Sequence, residues 1–393
     1  QHTSEKSIST VDEALKIGLA NNGKVKAAKT NVELQEQGKK AAFNLGKTDV
    51  GVQYGQYNSF ENDFAFDMNQ NFAFPTVYMN QRKLANEKIS ESQFQVSISE
   101  NQLKFDIRKA WYQLTYLTEK QKLLLFQDSI YTKFLNAANR RYETETSSYL
   151  EKVSAETKVM ELRNELKMVK ADIAIQEQQL RVLLDDTNEI RFTPTILDER
   201  LIGNTQDVNQ VENNPSLFYV KQQIKIAQAE KGVENAKLLP DFSIGYFNQS
   251  QIGNSLENGN FANGSDRFSG IQAGISIPLF SGSYRANIKS AKFKTQIAQT
   301  NADYYQTVLQ GQYQQQLNEV LKYQESLGYY KEQAIPQANL IISSTQKSFD
   351  NGAIGYIEYF QNINQGLTLK FNYLETLNGY NQAIISLEYL IGQ

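Results

Sequence analysis

The chain has 393 residues, a net charge of −3 and no cysteine. These values exclude disulfide bonds and thiolate metal sites, and they provide no basic surface for nucleic acid. No apolar run approaches the roughly 20 residues that a transmembrane helix needs. His2 is the only histidine, and the sequence has no glycine-rich phosphate loop or serine elbow. We therefore predict no catalytic site, no metal site and no cofactor.

The chain begins with two predicted helices. Thr10 and Glu13 have the spacing of a capping box, which predicts a helix that runs to about Leu19. The Asn-Asn-Gly sequence at 21–23 breaks that helix, and a second helix is predicted over 25–45.

From Asp49 onward the period of the apolar residues changes from about 3.6 to 2, which is the period of a β-strand. Large apolar residues alternate with polar residues or glycine over 50–54, and with polar residues or alanine over 64–74, where Gln70 is the one break. The two runs predict a hairpin over about 47–75 with one apolar face.

The rest of the first half returns to a helical pattern. It predicts a long helix over 79–142, a tip at 142–149, a return helix over 149–184 and a connector over 186–205. At 1.5 Å per residue the long helix would measure roughly 95 Å.

The second half repeats the first, so we predict two structural repeats, 1–205 and 206–393. The elements predicted for the second repeat are a hairpin over about 239–280, a long helix over 283–349, a tip at 349–356 and a return helix over 356–391. Tyr149-Leu150-Glu151 at the start of one return helix matches Tyr356-Ile357-Glu358 at the start of the other. Pro336 lies inside the second long helix and predicts a local kink.

The two hairpins raise the question of what covers their apolar faces, because a small sheet with one apolar face is unstable in water. Strands that are apolar outside and polar inside, with aromatic residues near their ends, are typical of outer-membrane barrels. Four strands are too few to close a barrel, so several chains would have to associate: two would supply eight strands and three would supply twelve. The alternative is a soluble coiled-coil protein whose hairpins pack on each other or on a partner.

A series of motifs, in a fixed order over nearly the whole chain, resembles a known family. The motifs are Thr10–Leu19 with the following Asn-Asn-Gly, 45-LGKTDVGVQYGQY-57, Phe74-Pro75, 275-ISIPLFSGSYRANI-288, Pro336-x-Ala338 and 349-FDNGAIGYIEYFQ-361. In this order they resemble the TolC-like outer-membrane efflux family. The stretches 43–59 and 72–85 are similar to its heavy-metal resistance–nodulation–division branch.

The resemblance implies a mainly α-helical fold with a small β part, assembled as a homotrimer. Twelve strands would form an outer-membrane β-barrel in lipid, and the helices would continue it as an α-helical barrel across the periplasm. The duct would export its substrate passively when a periplasmic adaptor (membrane fusion protein) and an inner-membrane resistance–nodulation–division transporter engage its tips. A duct for type I protein secretion remains an alternative at this point.

The resemblance also implies roles for three sets of residues. The periplasmic aperture or gate set is Glu358, Gln361, Asp350, Arg140, Arg141, Tyr142 and Glu151. The adaptor-contact set is Asn351, Gly352, Gly355, Thr146 and Ser147. The barrel-lumen set is Asp67, Asn69 and Asn71.

Within the gate set, three copies of Glu358 around a narrow axis would attract cations. Gln361 stands where many family members carry a second acid, so a double acidic ring is not expected. The alternative for Glu358 is a solvated helix face, and for Asp350 and Arg140 it is an ordinary helix-end charge.

Overall fold

A computed structural model describes residues 6–186, 190–201, 207–257 and 259–393. His2 and parts of the connector predicted over 186–205 lie outside these ranges. The chain divides into two compact units, one made of Gln1–Ala27, Val96–Pro215 and Gln306–Gln393, the other of Ala28–Gln95 and Ser216–Tyr305. Each unit therefore takes segments from both halves of the sequence.

Most of the described chain is helical. The α-helices are α1 (Val11–Asn21), α2 (Gly23–Ala41), α3 (Pro75–Glu143), α4 (Tyr149–Leu184), α5 (Pro215–Ala236), α6 (Gly282–Tyr329), α7 (Ile335–Asp350) and α8 (Tyr356–Leu390). The strands are β1 (Lys6–Ile8), β2 (Asp49–Gly55), β3 (Asp63–Phe72), β4 (Ile190–Phe192), β5 (Asp241–Gln249) and β6 (Phe268–Ser276). Among the described helices, none has a stretch apolar and long enough to traverse a bilayer.

The predicted capping box at the start of α1 is confirmed. The Glu13 N–H donates to the Thr10 hydroxyl at 3.3 Å, and the Thr10 N–H donates to the Glu13 carboxylate at 3.4 Å. The Ser9 N–H also donates to this carboxylate at 3.0 Å, and this bond contributes most to holding the pKa of Glu13 below its ordinary value.

Two predicted helix boundaries are wrong, each for a local reason. The helix predicted over 25–45 ends at Ala41, because Asn44 accepts the Gly46 N–H and Gly46 has a φ of 78°, which builds a turn. The long helix predicted from 79 already begins at Pro75, whose fixed φ suits a first helical position.

Pro336 does disturb the second long helix, but the form of the disturbance was not predicted. The chain makes one π-helical turn over Tyr330–Ala334 between α6 and α7. Because Pro336 has no N–H, the carbonyl four residues earlier loses its α-helical donor, and a wider turn accommodates that loss.

The second unit contains a four-stranded antiparallel sheet in the order β2-β3-β5-β6. Val50 pairs with Met68, Met68 pairs with Tyr246 and Tyr246 pairs with Ile271, so one apolar row crosses all four strands. This row is exposed in the single chain, with Val50 60% and Ile271 78% accessible. The predicted apolar face of the hairpins is thus one continuous surface.

The opposite face of the sheet is polar and carries the three residues predicted to line the lumen. Asp67, Asn69 and Asn71 alternate along β3 on this side. Gly51 lies opposite Asp67, and a Cβ atom there would approach the Asp67 Oδ1 within 2.5 Å. A glycine in β2 therefore leaves room for this carboxylate.

The first unit has an apolar core of its own, where β1 and β4 form a parallel pair. Trp111, the only tryptophan, is buried there, and its ring meets the Phe192 ring edge-on at 6.3 Å. This agrees with the packing role that its position in a helical apolar run predicts.

Within the same unit, an ion cluster holds the connector to the helices. The Arg200 guanidinium donates to both Glu388 carboxylate oxygens at 2.6 and 2.9 Å and to the Tyr112 hydroxyl at 3.0 Å. Arg108 adds a second contact to the Glu388 carboxylate at 3.2 Å. Desolvation disfavours the charged guanidinium, but its bonds to Glu388 leave the pKa of Arg200 above its ordinary value.

Candidate functional site: the two helical tips

The first tip, residues 144–148, joins α3 to α4 and is closed by hydroxyl groups. The Thr146 N–H donates to the Arg141 carbonyl at 2.8 Å, and the Thr146 hydroxyl donates to the same carbonyl at 3.0 Å. Ser148 caps α4 by accepting the Glu151 N–H at 3.2 Å. Glu145 takes the left-handed conformation with a φ of 55°. Hydroxyl side chains thus bond the Arg141 carbonyl and the Glu151 N–H, whereas the Ser147 hydroxyl is buried without a partner among the described residues.

Charged and aromatic groups line the base of the first tip. The Arg141 guanidinium lies 3.6 Å from the Glu151 carboxylate, whose side chain is only 17% exposed. The Tyr142 and Tyr149 ring centroids are 5.7 Å apart, and the Lys152 ammonium lies 5.3 Å from the Tyr142 ring centre. The Glu151 carboxylate therefore forms an ion pair within its own tip, while its buried Oε1 atom accepts no hydrogen bond from the described part of the chain.

The second tip, residues 351–355, joins α7 to α8 through backbone geometry. Gly352 has a φ of 70°, its N–H donates to the Phe349 carbonyl at 3.0 Å, and the next N–H donates to the Ser348 carbonyl at 2.9 Å. Gly355 occupies the N-cap position of α8 and has no side chain to cap it. This tip therefore depends on glycine where the first depends on hydroxyl groups.

Aromatic rings hold the second tip against α3. The Tyr356 ring stacks on the Phe134 ring with centroids 3.6 Å apart, and the Phe360 ring stacks on the Tyr131 ring at 5.2 Å. Burial, and secondarily the Glu151 charge, raises the pKa of Tyr356 well above its ordinary value. The start of α8 is therefore anchored by apolar packing.

The predicted gate residues of the second tip lie on the surface. Glu358, Gln361 and Asp350 are all exposed. Asp350 accepts the Gln346 side-chain N–H at 2.9 Å, and the Gln346 carbonyl oxygen accepts the Tyr359 hydroxyl at 2.8 Å. No ion pair between Asp350 and Arg140 is present in the described part of the chain.

The predicted adaptor contacts are mostly accessible. Asn351, Gly352, Gly355 and Thr146 are exposed, and Ser147 is half-buried. Two apolar residues that match between the repeats, but belong to none of the predicted sets, accompany them: Leu150 is 74% exposed and Ile357 is 69% exposed. Their equivalent positions in the two repeats were the signal that could have identified them.

The described residues contain no group of three or more His, Asp or Glu side chains placed to hold a metal ion. The tips expose the carboxylates of Asp350 and Glu358 and the apolar side chains of Leu150 and Ile357.

Comparison with known proteins gives a family match over the second half of the chain and a fold match over nearly all of it. Residues 209–393 match the model of the family described as "Outer membrane efflux protein". No curated protein matches the sequence.

Several solved outer-membrane channels have a similar structure. A structure of CusC is 14% identical with a TM-score of 0.80, covering 97% of this chain and 91% of its own. CmeC of Campylobacter jejuni is 13% identical with a TM-score of 0.81, covering 97% and 85%. VceC of Vibrio cholerae is 14% identical with a TM-score of 0.76, covering 97% and 96%. CusC and VceC are equally identical to this chain, at 14%. Identity therefore does not distinguish between them, and membership of the heavy-metal branch stays a prediction.

Proposed function

We propose that the chain, whose residues 209–393 match the outer-membrane efflux protein model and whose fold matches solved outer-membrane channels, is a TolC-like protein that forms the homotrimeric duct of a tripartite efflux system. It is an outer-membrane efflux protein whose helical part lies in the periplasm. In the proposal, substrate leaves the periplasm passively when an adaptor and an inner-membrane resistance–nodulation–division pump engage the tips. The chain itself contributes no covalent chemistry.

The observation that carries this proposal is the incomplete sheet. Its apolar face is exposed, and within the described chain neither β2 nor β6 has a strand on its outer edge. Lipid cannot satisfy the hydrogen-bonding groups of an open edge, so the sheet has to be continued by other chains. Three copies would supply twelve strands, with Asp67, Asn69 and Asn71 facing the lumen.

The tips support the proposed contact with an adaptor. Leu150 and Ile357 expose apolar surface at equivalent positions of the two tips. Exposed apolar side chains rimmed by polar residues are typical of protein contact sites. We propose that the adaptor contacts these two residues together with the predicted set around Asn351 and Thr146.

The same geometry supports a cation-attracting gate at the second tip. Glu358 is exposed and Glu151 is engaged by Arg141. In a trimer, three Glu358 carboxylates near the axis would favour cations. Since Gln361 is neutral, this ring would be the single acidic ring of the aperture.

The duct is tested with a matched pair of substitutions on β6. Ile271 lies on the apolar face and Gln272 on the polar face of the sheet. An arginine on the lipid face of a barrel costs about 2–4 kcal/mol at the midplane, whereas a lumen position tolerates it. We expect Ile271→Arg to abolish cross-linked trimers in outer-membrane extracts, and Gln272→Arg to retain trimers that conduct ions in planar bilayers.

A wild-type protein recovered as a soluble monomer without detergent would overturn the proposal in favour of a coiled-coil protein. Equal loss of trimers in both variants would show that the two faces of the sheet do not differ in environment.

A further inference from the structure

A large groove lies in the second unit, between α2, the start of α3 and the end of β3. Its volume is about 1160 Å³. Drug-sized ligands occupy sites of roughly 300–1,000 Å³. The Phe43 and Tyr78 rings, with centroids 5.1 Å apart, form part of its wall, together with Met79. The groove is thus large enough, and apolar enough, for a long hydrocarbon chain.

The groove is continuous with the apolar face of the sheet. Phe72 and Phe242 pair in register across β3 and β5, lie on the apolar face, and also line the groove. Most of the other lining residues belong to α2 and the start of α3, which lie on the periplasmic side of the sheet in the proposed duct. The groove therefore opens where the lipid-facing surface meets the periplasm.

Cations surround this apolar interior. Lys39, Lys40 and Arg82 line the groove, and Glu36 is the one acid among its described lining residues. None of the three cations has an ion-pair partner within the described part of the chain. Three cations against one acid leave the groove net positive, and cations at a membrane surface attract anionic head groups.

From the apolar wall, the cationic rim and the continuity with the lipid-facing sheet, we propose that this groove binds one anionic phospholipid of the periplasmic leaflet. An acyl chain lies against Phe43, Tyr78 and Met79, and the phosphate meets Lys39, Lys40 and Arg82. The site goes beyond the duct function, since it depends on the membrane position of the sheet and not on conductance.

The test uses the full-length protein purified in detergent, with phosphatidylglycerol as the anionic probe and phosphatidylethanolamine as the zwitterionic one. Native mass spectrometry counts lipids retained per chain. The groove variant is Lys39→Gln/Lys40→Gln/Arg82→Gln. The matched control, Lys83→Gln/Lys88→Gln/Lys225→Gln, removes three exposed cations of the same unit that do not line the groove.

We expect wild type and control to retain phosphatidylglycerol in preference to phosphatidylethanolamine. We expect the groove variant to bind phosphatidylglycerol at least about tenfold more weakly. Glycerol phosphate, which lacks acyl chains, should not compete.

Any of three results would overturn the lipid site. The two triple variants could lose phosphatidylglycerol equally, wild type could bind both lipids equally, or glycerol phosphate could compete fully. Dissociation of oligomers in the groove variant alone would assign the groove to a second copy of the chain and would also overturn it. Bilayer conductance is measured in parallel: a wild type that binds the lipid but does not conduct would refute the duct and leave this site standing.

Discussion

The two tips begin their return helices with matching residues but place them in opposite environments. Tyr149 is 64% exposed, while its counterpart Tyr356 stacks on Phe134 at 3.6 Å. Glu151 is half-buried beside Arg141, while its counterpart Glu358 is exposed. The same three-residue pattern thus presents an aromatic ring at one tip and a free carboxylate at the other.

This difference arises from what surrounds each tip. Hydroxyl side chains close the turn of the first tip, and its tyrosine lies at the surface beside the Tyr142 ring. The second tip has glycines and is held by aromatic rings at its base. The first tip is therefore stabilised mainly by polar bonds, and the second tip mainly by apolar contacts.

The largest expected effect follows from the tyrosine pair. Tyr356→Ala should lower the local stability of the second tip by about 2–3 kcal/mol, because it leaves a cavity beside Phe134. Tyr149→Ala should change the first tip by less than about 0.5 kcal/mol. Amide hydrogen exchange over 350–360 and 143–153 measures both values. Similar changes at the two tips would mean that their tyrosines share one environment.

The turn backbones provide the next comparison. Gly352→Ala should cost about 1 kcal/mol, because alanine disfavours the φ of 70° found there. Glu145→Gly should instead stabilise the first tip or leave it unchanged, since Glu145 is already left-handed at 55°. The rate of limited proteolysis at each tip reports the change. Faster cleavage at 145 in Glu145→Gly would contradict this account.

Helix capping separates the tips further. Ser148→Ala removes the acceptor for the Glu151 N–H and should cost about 1 kcal/mol. Gly355→Ser places a hydroxyl at an extended N-cap and should stabilise α8 by only a few tenths of a kcal/mol. Hydrogen exchange of the first turns of α4 and α8 tests the pair. If Gly355→Ser stabilises α8 by as much as Ser148→Ala destabilises α4, the two tips differ only in their N-cap residues.

The smallest effect is on ion selectivity. Glu358→Ala should lower the ratio of cation to anion permeability by about twofold, as expected for loss of a screened surface charge. Glu151→Ala should leave that ratio unchanged, because the Glu151 carboxylate is engaged by Arg141. Reversal potentials in planar bilayers under a salt gradient measure both. A Glu358→Ala protein with unaltered selectivity would place Glu358 on a solvated helix face.

Local chemistry made several elements predictable. The bounds of α4 match the prediction, because Ser148 caps its start and Asp185 takes a left-handed conformation at its end. The two faces of the sheet follow from a period of 2 in the apolar residues, since successive side chains point to opposite sides. Pairing across β3 and β5 then unites both hairpins into a single surface.

Contacts distant in sequence were not predictable in this way. Nothing local indicates that Arg200 of the connector reaches Glu388 near the end of α8. The groove around Phe43 and Arg82 likewise depends on how α2 meets α3. Each of these features depends on how two elements pack together, and the residue pattern within one element does not contain that information.

The sequence by itself determined the helices and the apolar face of the strands, because each follows from spacing within a few residues. It also placed the tips and named the residues on them. Only the tertiary structure decided which tyrosine is packed and which glutamate is free. Tyr356 at the start of α8 is packed because Phe134 of α3 lies beside it, whereas Tyr149 meets open surface. The pattern within α8 alone could not show this, since Phe134 belongs to another helix.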